Sequence, residues 1–175
     1  MIHSLLMKNW YKHHNRQFAF EAGLNMITGE NEGGKSLILE AIDYALHGSV
    51  ALRLSAGMYP NNLNSVLETT IRGTRYIIDR TPKMATLTVA ETGEVIAKGT
   101  KPVDQEIKKL LGFNRNVFLV SNYSSQDSIN HLSTLRPADR KKVIDNVVGL
   151  TAVEEVITEH KLELTALNKV LVGYH

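Results

Sequence analysis

The 175-residue sequence contains no cysteine, so disulfides and thiolate-ligated metal centres are excluded, and a reducing, cytoplasmic setting is expected. Long apolar runs are missing too. Nothing approaches the roughly 18 consecutive apolar residues of a membrane span, and the apolar stretch near the start, Ile2 to Met7, is too short for a secretory signal. No membrane partner is therefore expected. Aromatic residues make up 6% of the chain, with one Trp, which leaves no evident stacking platform for single strands. Charge of one sign is lacking as well: 20 Lys and Arg against 18 Asp and Glu give a net +2. That balance is compatible with nucleic acid but does not demand it. The apolar fraction of 43% is that of an ordinary globular domain with a real core.

The patterning that is present alternates between short strands and helices. Ile2 to Met7 reads as a buried strand, Gln17 to Glu21 as a strand with one exposed face, and Leu24 to Thr28 as a further buried strand. A glycine-rich stretch follows, Gly29 to Ser36, and then LILEAIDYALHG, whose apolar residues repeat at helical spacing up to a Gly48 cap. Residues 49–64 carry turn signals and read as a surface loop. Ser65 to Arg72, Arg75 to Arg80, Ala85 to Ala90 and Glu94 to Ala97 predict an antiparallel meander turned at Gly73 and Gly93. Pro102 to Leu111 predicts a helix ending at Gly112, Val117 to Val120 is a second apolar segment, and Pro137 opens another helix. In the last segment Thr151 and Glu154 form a capping box. There Leu150, Val153, Ile157, His160, Leu164, Leu167 and Leu171 are spaced 3, 4, 3, 4, 3, 4, the seam of a coiled coil interrupted by His160. An amphipathic helix lying on its own domain is the other reading of that seam. Gly173-Tyr174-His175 reads as an abrupt stop, as if the arm were truncated.

Gly29-Glu30-Asn31-Glu32-Gly33-Gly34-Lys35-Ser36 matches G-x-x-x-x-G-K-[ST] in full. Each residue type has a chemical reason. Backbone N–H groups must curl around a phosphate, which calls for glycine where a side chain would collide or φ must be positive. Lys35 offers a positive charge to the β- and γ-phosphates, and Ser36 a hydroxyl to magnesium. The N-terminus of the helix, where Leu37 follows, adds partial positive charge. ATP with magnesium is the expected cofactor pair.

The surroundings of this loop carry a resemblance. GENEGGKSLILEAIDYALHG resembles the G-x-N-G-x-G-K-S-x-x-x-x-A-I-x-x-x-L-x-G stretch of SMC-like ATPases, with Asn31, Ala41, Ile42, Leu46 and Gly48 on the pattern. Downstream, Phe118 to Gln126 (FLVSNYSSQ) looks like the Q-loop segment of the SbcC-type ATPase that partners the SbcD nuclease, and LSTLRPADRKKVIDNVVGL is similar to the part leading into its coiled coil. The large, ATPase subunit of bacteriophage recombination endonucleases is also similar, from about residue 2 to 171. The resemblance implies an α/β, P-loop NTPase fold: the N-terminal lobe of an ABC-type ATPase head (1–149), with an antiparallel subsheet and, over 150–175, the start of a coiled-coil arm. It implies that Lys35 and Gln126 act catalytically and that Ser36 and Gln126 both reach magnesium. It also implies that Gly29, Asn31, Glu32, Gly33, Gly34, Lys35, Ser36 and Leu37 contact the nucleotide. Asn9-Trp10-Tyr11-Lys12-His13 resembles the family's N-F-R-S-H stretch, but Tyr11 stands where the basic residue belongs. Lys12, one place later, is the substitute nucleotide contact. Glu32 stands where the family has glycine, and a carboxylate there would weaken ATP binding unless it points outward.

Two elements of a complete ATPase are missing. No run of apolar residues ends in Asp-Glu to hold magnesium through water and polarise the attacking water, and there is no Ser-Gly-Gly signature loop. Tyr76-Ile77-Ile78-Asp79-Arg80 comes nearest and reads as an ordinary strand ending in charge. The family carries those parts in a C-terminal lobe beyond the coiled coil. The expectation is ATP binding without turnover, with a C-terminal lobe, a nuclease subunit, DNA and a second head as partners, in a bacterial or phage-infected host cell. Seven histidines suggest no metal site, because the adjacent pair His13-His14 diverges along a regular element. Lys101, Lys108, Lys109, Arg136, Arg140, Lys141 and Lys142 are DNA candidates by charge alone, a solvated helix face being the plainer explanation. A chromosome-structure or gap-repair ATPase without a nuclease, and a non-enzymatic fragment acting through its seam helix, are the alternative functions.

Overall fold

A computed structural model describes residues 1–53 and 58–121, together with 136–138, 141, 144, 145 and 160. The chain divides into two units, Met1–Gly112 and Phe113–His175.

The first unit is built on one antiparallel sheet of six strands: β1 (Ile2–Trp10), β2 (His13–Ala19), β3 (Asn64–Ile71), β4 (Thr74–Arg80), β5 (Ala85–Val89) and β6 (Val95–Lys98). Their order across the sheet is β2-β1-β3-β4-β5-β6. Alternation decides which face is buried. In β3 Ser65, Leu67, Thr69 and Ile71 point inward, and in β4 Tyr76, Ile78 and Arg80 do the same. The register aligns these positions, so that Leu5, Leu67, Ile78, Leu87 and Ala97 form one buried row across five strands. Each large member of that row contributes about 1.5–3 kcal/mol by leaving water.

Helix α1 (Lys35–His47) packs on the β1, β3 and β4 part of the row. It is buried on nearly every side, Glu40 and Asp43 included. Such burial demands paired charges. Glu40 accepts a hydrogen bond from the Tyr59 hydroxyl and one from the Arg53 amide at 3.2 Å, and Asp43 lies 2.8 Å from His47 Nδ1. A 3₁₀ turn (Gly48–Ala51) follows. Trp10 is wholly buried, edge-on to Tyr44 at 5.6 Å and Tyr59 at 6.1 Å, with its indole N–H donated to Asn64 O. The strand alternation slips at Asn9 (φ 60), which brings Trp10 to the same core as Leu5 and Met7. Helix α2 (Thr100–Leu111) buries Val103 and Ile107, and Gly112 (φ 79) ends it by donating its N–H to Lys108 O.

Several expectations need correcting. The predicted buried strand Leu24 to Thr28 is no strand: the segment has no regular structure, and Leu24 is 93% and Met26 79% exposed. Its apolar content suits burial, but no strand pairs with it among the described residues. The subsheet is not separate, because β3 hydrogen-bonds to β1 and the meander continues the N-terminal hairpin. Nor is 49–64 wholly a surface loop: Ala51, Tyr59 and Leu63 are buried, Leu63 completely. β2 starts earlier and stops sooner than the predicted Gln17 to Glu21.

In the second unit α3 (Arg115–Ser121) takes in the apolar segment Val117 to Val120. Asn114 caps it, its Oδ1 accepting the Val117 N–H at 3.1 Å. Pro137 and Ala138 are helical. The Q-loop segment with Gln126 and the seam positions other than His160, which is helical and exposed, lie outside the described residues.

Candidate phosphate-binding site

The glycine-rich loop is held at its middle and its end, while in the segment before it the Asn25 side chain closes a turn: Oδ1 accepts the Glu21 N–H at 3.1 Å and Nδ2 donates to Glu21 O at 2.9 Å. In its middle Gly33 N–H donates to Glu30 O at 3.1 Å, and a Cβ on Gly33 would stand 2.9 Å from that oxygen. At its end Gly34 adopts φ 87, and a Cβ there would meet His13 Nε2 at 2.7 Å. Glycine is therefore required at both positions by the fold itself.

His13 is the residue the sequence reading passed over. It is 2% exposed, sits edge-on to Phe18, and its Nε2 lies 3.1 Å from Gly34 O. A carbonyl only accepts, so Nε2 carries the proton. Nδ1 is buried without a partner among the described residues. The β1–β2 hairpin thus fixes the last peptide of the loop. The signal in the sequence is that His13 closes the segment matched to N-F-R-S-H. Lys12 is exposed in the hairpin turn and bonds to nothing in the loop among the described residues.

The loop presents donors. Apart from Gly33, the amides of Asn31, Glu32, Gly34, Lys35 and Ser36 have no backbone acceptor among the described residues. The last two are the orphan N–H groups of the α1 terminus, which has no side-chain cap and no acidic residue in its first turn. Lys35 Nζ folds back onto Gly29 O at 2.8 Å and Glu30 O at 2.6 Å, two acceptors it can exchange for phosphate oxygens. The Ser36 hydroxyl is exposed, and the half-buried Leu37 donates its N–H to Gly34 O at 3.0 Å. Glu32 has φ 60, the left-handed conformation that glycine adopts freely and glutamate does not, and its side chain is exposed. Among the expected contacts, Asn31, Glu32, Gly34, Lys35 and Ser36 thus have amides without a backbone acceptor among the described residues, whereas the Gly33 and Leu37 amides are engaged within the loop. Among the described residues no group of three or more His, Cys, Asp or Glu could hold a metal ion.

A family model described as an AAA domain matches residues 4–170. The chain belongs to the AAA-domain family. Curated relatives give the type of AAA domain. A DNA double-strand break repair Rad50 ATPase of Thermoplasma volcanium is 28% identical over 88% of this chain and 18% of its own length. The protein of the same name from Thermoplasma acidophilum is 28% identical over 89% and 18%, and that from Methanocaldococcus jannaschii 27% over 94% and 18%. The chain spans less than a fifth of the length of these relatives. Within that span this AAA domain is an N-terminal ATPase lobe of the SMC-like, SbcC type, with an α/β fold. No helix among the described residues is long and apolar enough to cross a membrane.

Proposed function

We propose that this lobe binds ATP with magnesium in the Gly29–Ser36 cradle and is the nucleotide-binding half of an ATPase that acts in DNA double-strand break repair. The row of amides from Asn31 to Ser36, all but that of Gly33 without a backbone acceptor among the described residues, is the observation that carries this reading. The amides and Lys35 Nζ bind the β- and γ-phosphates, Ser36 Oγ would hold magnesium, and His13 keeps Gly34 in the conformation that points its neighbours' amides inward. Magnesium, when bound, neutralises phosphate charge. Gln126 is assigned the second magnesium contact and the sensing of the γ-phosphate, and Lys12 an outer contact.

The lobe binds without turning ATP over by itself, since the sequence has no apolar run ending in Asp-Glu. Asp79, at the end of β4, is engaged by Asn64 Nδ2 at 2.6 Å, and the residue after it is a buried arginine. A C-terminal lobe, from the same or a separate chain, supplies the acidic groups and packs on the exposed Leu24–Ile27 segment. The full assembly pairs two heads on ATP, holds DNA and governs a nuclease subunit in the cytoplasm, residues 1–149 forming the lobe and 150–175 the root of a coiled-coil arm.

Steady-state hydrolysis of magnesium-ATP tests this directly. The chain alone should stay at background, and adding a C-terminal ATPase lobe in trans should raise the rate. Turnover by the chain alone, rising faster than linearly with its concentration, would show that the acidic groups are already present.

A further inference from the structure

His13 joins the phosphate loop to the β1–β2 hairpin through a single acceptor. The ring is 2% exposed, stands edge-on to Phe18 with centroids 5.8 Å apart, and lies against Gly34, where a Cβ would meet Nε2 at 2.7 Å. Gly34 O takes two donors, the Leu37 N–H at 3.0 Å and Nε2–H at 3.1 Å, which uses both of its lone pairs. The other ring nitrogen, Nδ1, is buried with no partner among the described residues. Burying an unpaired acceptor costs free energy, and a phenylalanine ring would fill the same space without that cost. Packing therefore does not account for an imidazole here; its Nε2–H does.

Gly34 O and the Lys35 N–H belong to one peptide. In a trans peptide they point in opposite directions, so a carbonyl turned toward the hairpin turns the Lys35 amide away from it. That amide has no backbone acceptor among the described residues. Hydrogen bonds at the two ends of a peptide strengthen each other, because a donor on the oxygen draws electron density from the nitrogen and makes its proton a better donor. The hairpin side is firmly held. Trp10, paired with His13 across the turn, is wholly buried, and Tyr11 in the turn donates its hydroxyl to Met58 O at 3.2 Å.

We propose that His13 is a positioning residue that couples phosphate occupancy to the β1–β2 hairpin through the Gly34–Lys35 peptide. This rests on the phosphate-loop reading given above. A phosphate oxygen that accepts the Lys35 N–H makes Gly34 O a stronger acceptor, and the His13 bond shortens. By reciprocity the His13 bond raises the affinity for phosphate by the same factor. The contribution is made to the bound state. Deleting it costs the empty fold little, since Gly34 O keeps the Leu37 N–H.

The test titrates magnesium-ATP into the full chain while the His13 ring nitrogens and the Nε2-bound proton are followed by NMR. Saturation should move that proton downfield, with Nε2 protonated throughout. Lys35→Ala, at the same ATP concentrations, should abolish the movement. His13→Phe keeps a ring in place and should weaken binding about fivefold, with the urea midpoint unchanged or raised. His13→Gln carries a donor on its amide nitrogen and should restore affinity to within about twofold of the parent. A His13 signal that stays fixed while ATP saturates the parent chain overturns the proposal alone, as does equal affinity in His13→Phe. A fixed signal together with a lowered urea midpoint in His13→Phe makes His13 a structural contact only. If the parent chain does not bind at all, the phosphate-loop reading falls and this inference with it.

Discussion

The two ends of α1 each carry a cation on backbone carbonyls, and they are built for opposite purposes. At the N-terminal end the half-buried Lys35 reaches Gly29 O and Glu30 O, on a loop most of whose amides have no backbone acceptor among the described residues. At the C-terminal end Arg80 reaches Ala45 O from complete burial and is pinned by Asp104. A charge near a helix N-terminus opposes the macrodipole, so Lys35 is held weakly and gains by finding an anion; a charge near the C-terminus agrees with it, so Arg80 is a fixture. The comparison separates function from framework. Removing Lys35 should cost binding and little stability, and removing Arg80 the reverse.

The largest effect is expected at the framework end. Arg80→Ala empties a buried side-chain site and leaves Ala45 O without its donor, the half-exposed Asp104 being left to solvent, and should lower stability by about 2–5 kcal/mol in urea unfolding. If it costs under about 1 kcal/mol, the two ends are not so different. Next comes Gly34→Ala. The left-handed φ and the 2.7 Å approach to His13 Nε2 should together cost about 2 kcal/mol and weaken ATP binding at least tenfold. Glu32→Gly should act in the opposite direction. Relief of φ 60 should add about 1 kcal/mol of stability, and loss of a carboxylate beside the phosphates should tighten ATP binding severalfold. Unchanged affinity would show that Glu32 points away from the phosphates.

The smallest effect concerns pH. Tyr44 has a folded pKa of about 12 against an ordinary value of 10.0, raised by burial. The folded state therefore holds a proton that the unfolded chain releases first. The contribution is fully present below pH 10 and is lost as pH rises toward 12. Stability measured across that window should fall less steeply in Tyr44→Phe than in the parent chain.

Much of this contrast was legible in the sequence, and unevenly so. The tight turn into α1 was, because the motif as it stands here sets glycine at the two crowded positions, Gly33 and Gly34. The meander was, because alternation in β3 and β4 is nearly unbroken. Arg80 reads by its charge as the exposed end of a strand, although counting by twos from Tyr76 and Ile78 places it on the inward face. Leu24 to Thr28 failed for the converse reason: apolar composition signals a strand to be buried, but not whether a neighbour is there to bury it. His13 needed a tertiary contact across the hairpin that no local pattern encodes.

The central claim is that the free amides and Lys35 form an ATP site on a lobe that is otherwise self-supporting. An equilibrium titration of magnesium-ATP into the parent chain and into Lys35→Ala, each checked by thermal unfolding, tests it most directly. The account predicts saturable binding by the parent chain and about 100-fold weaker binding by the variant, with stability unchanged to within about 0.5 kcal/mol. Equal binding by both chains would contradict it.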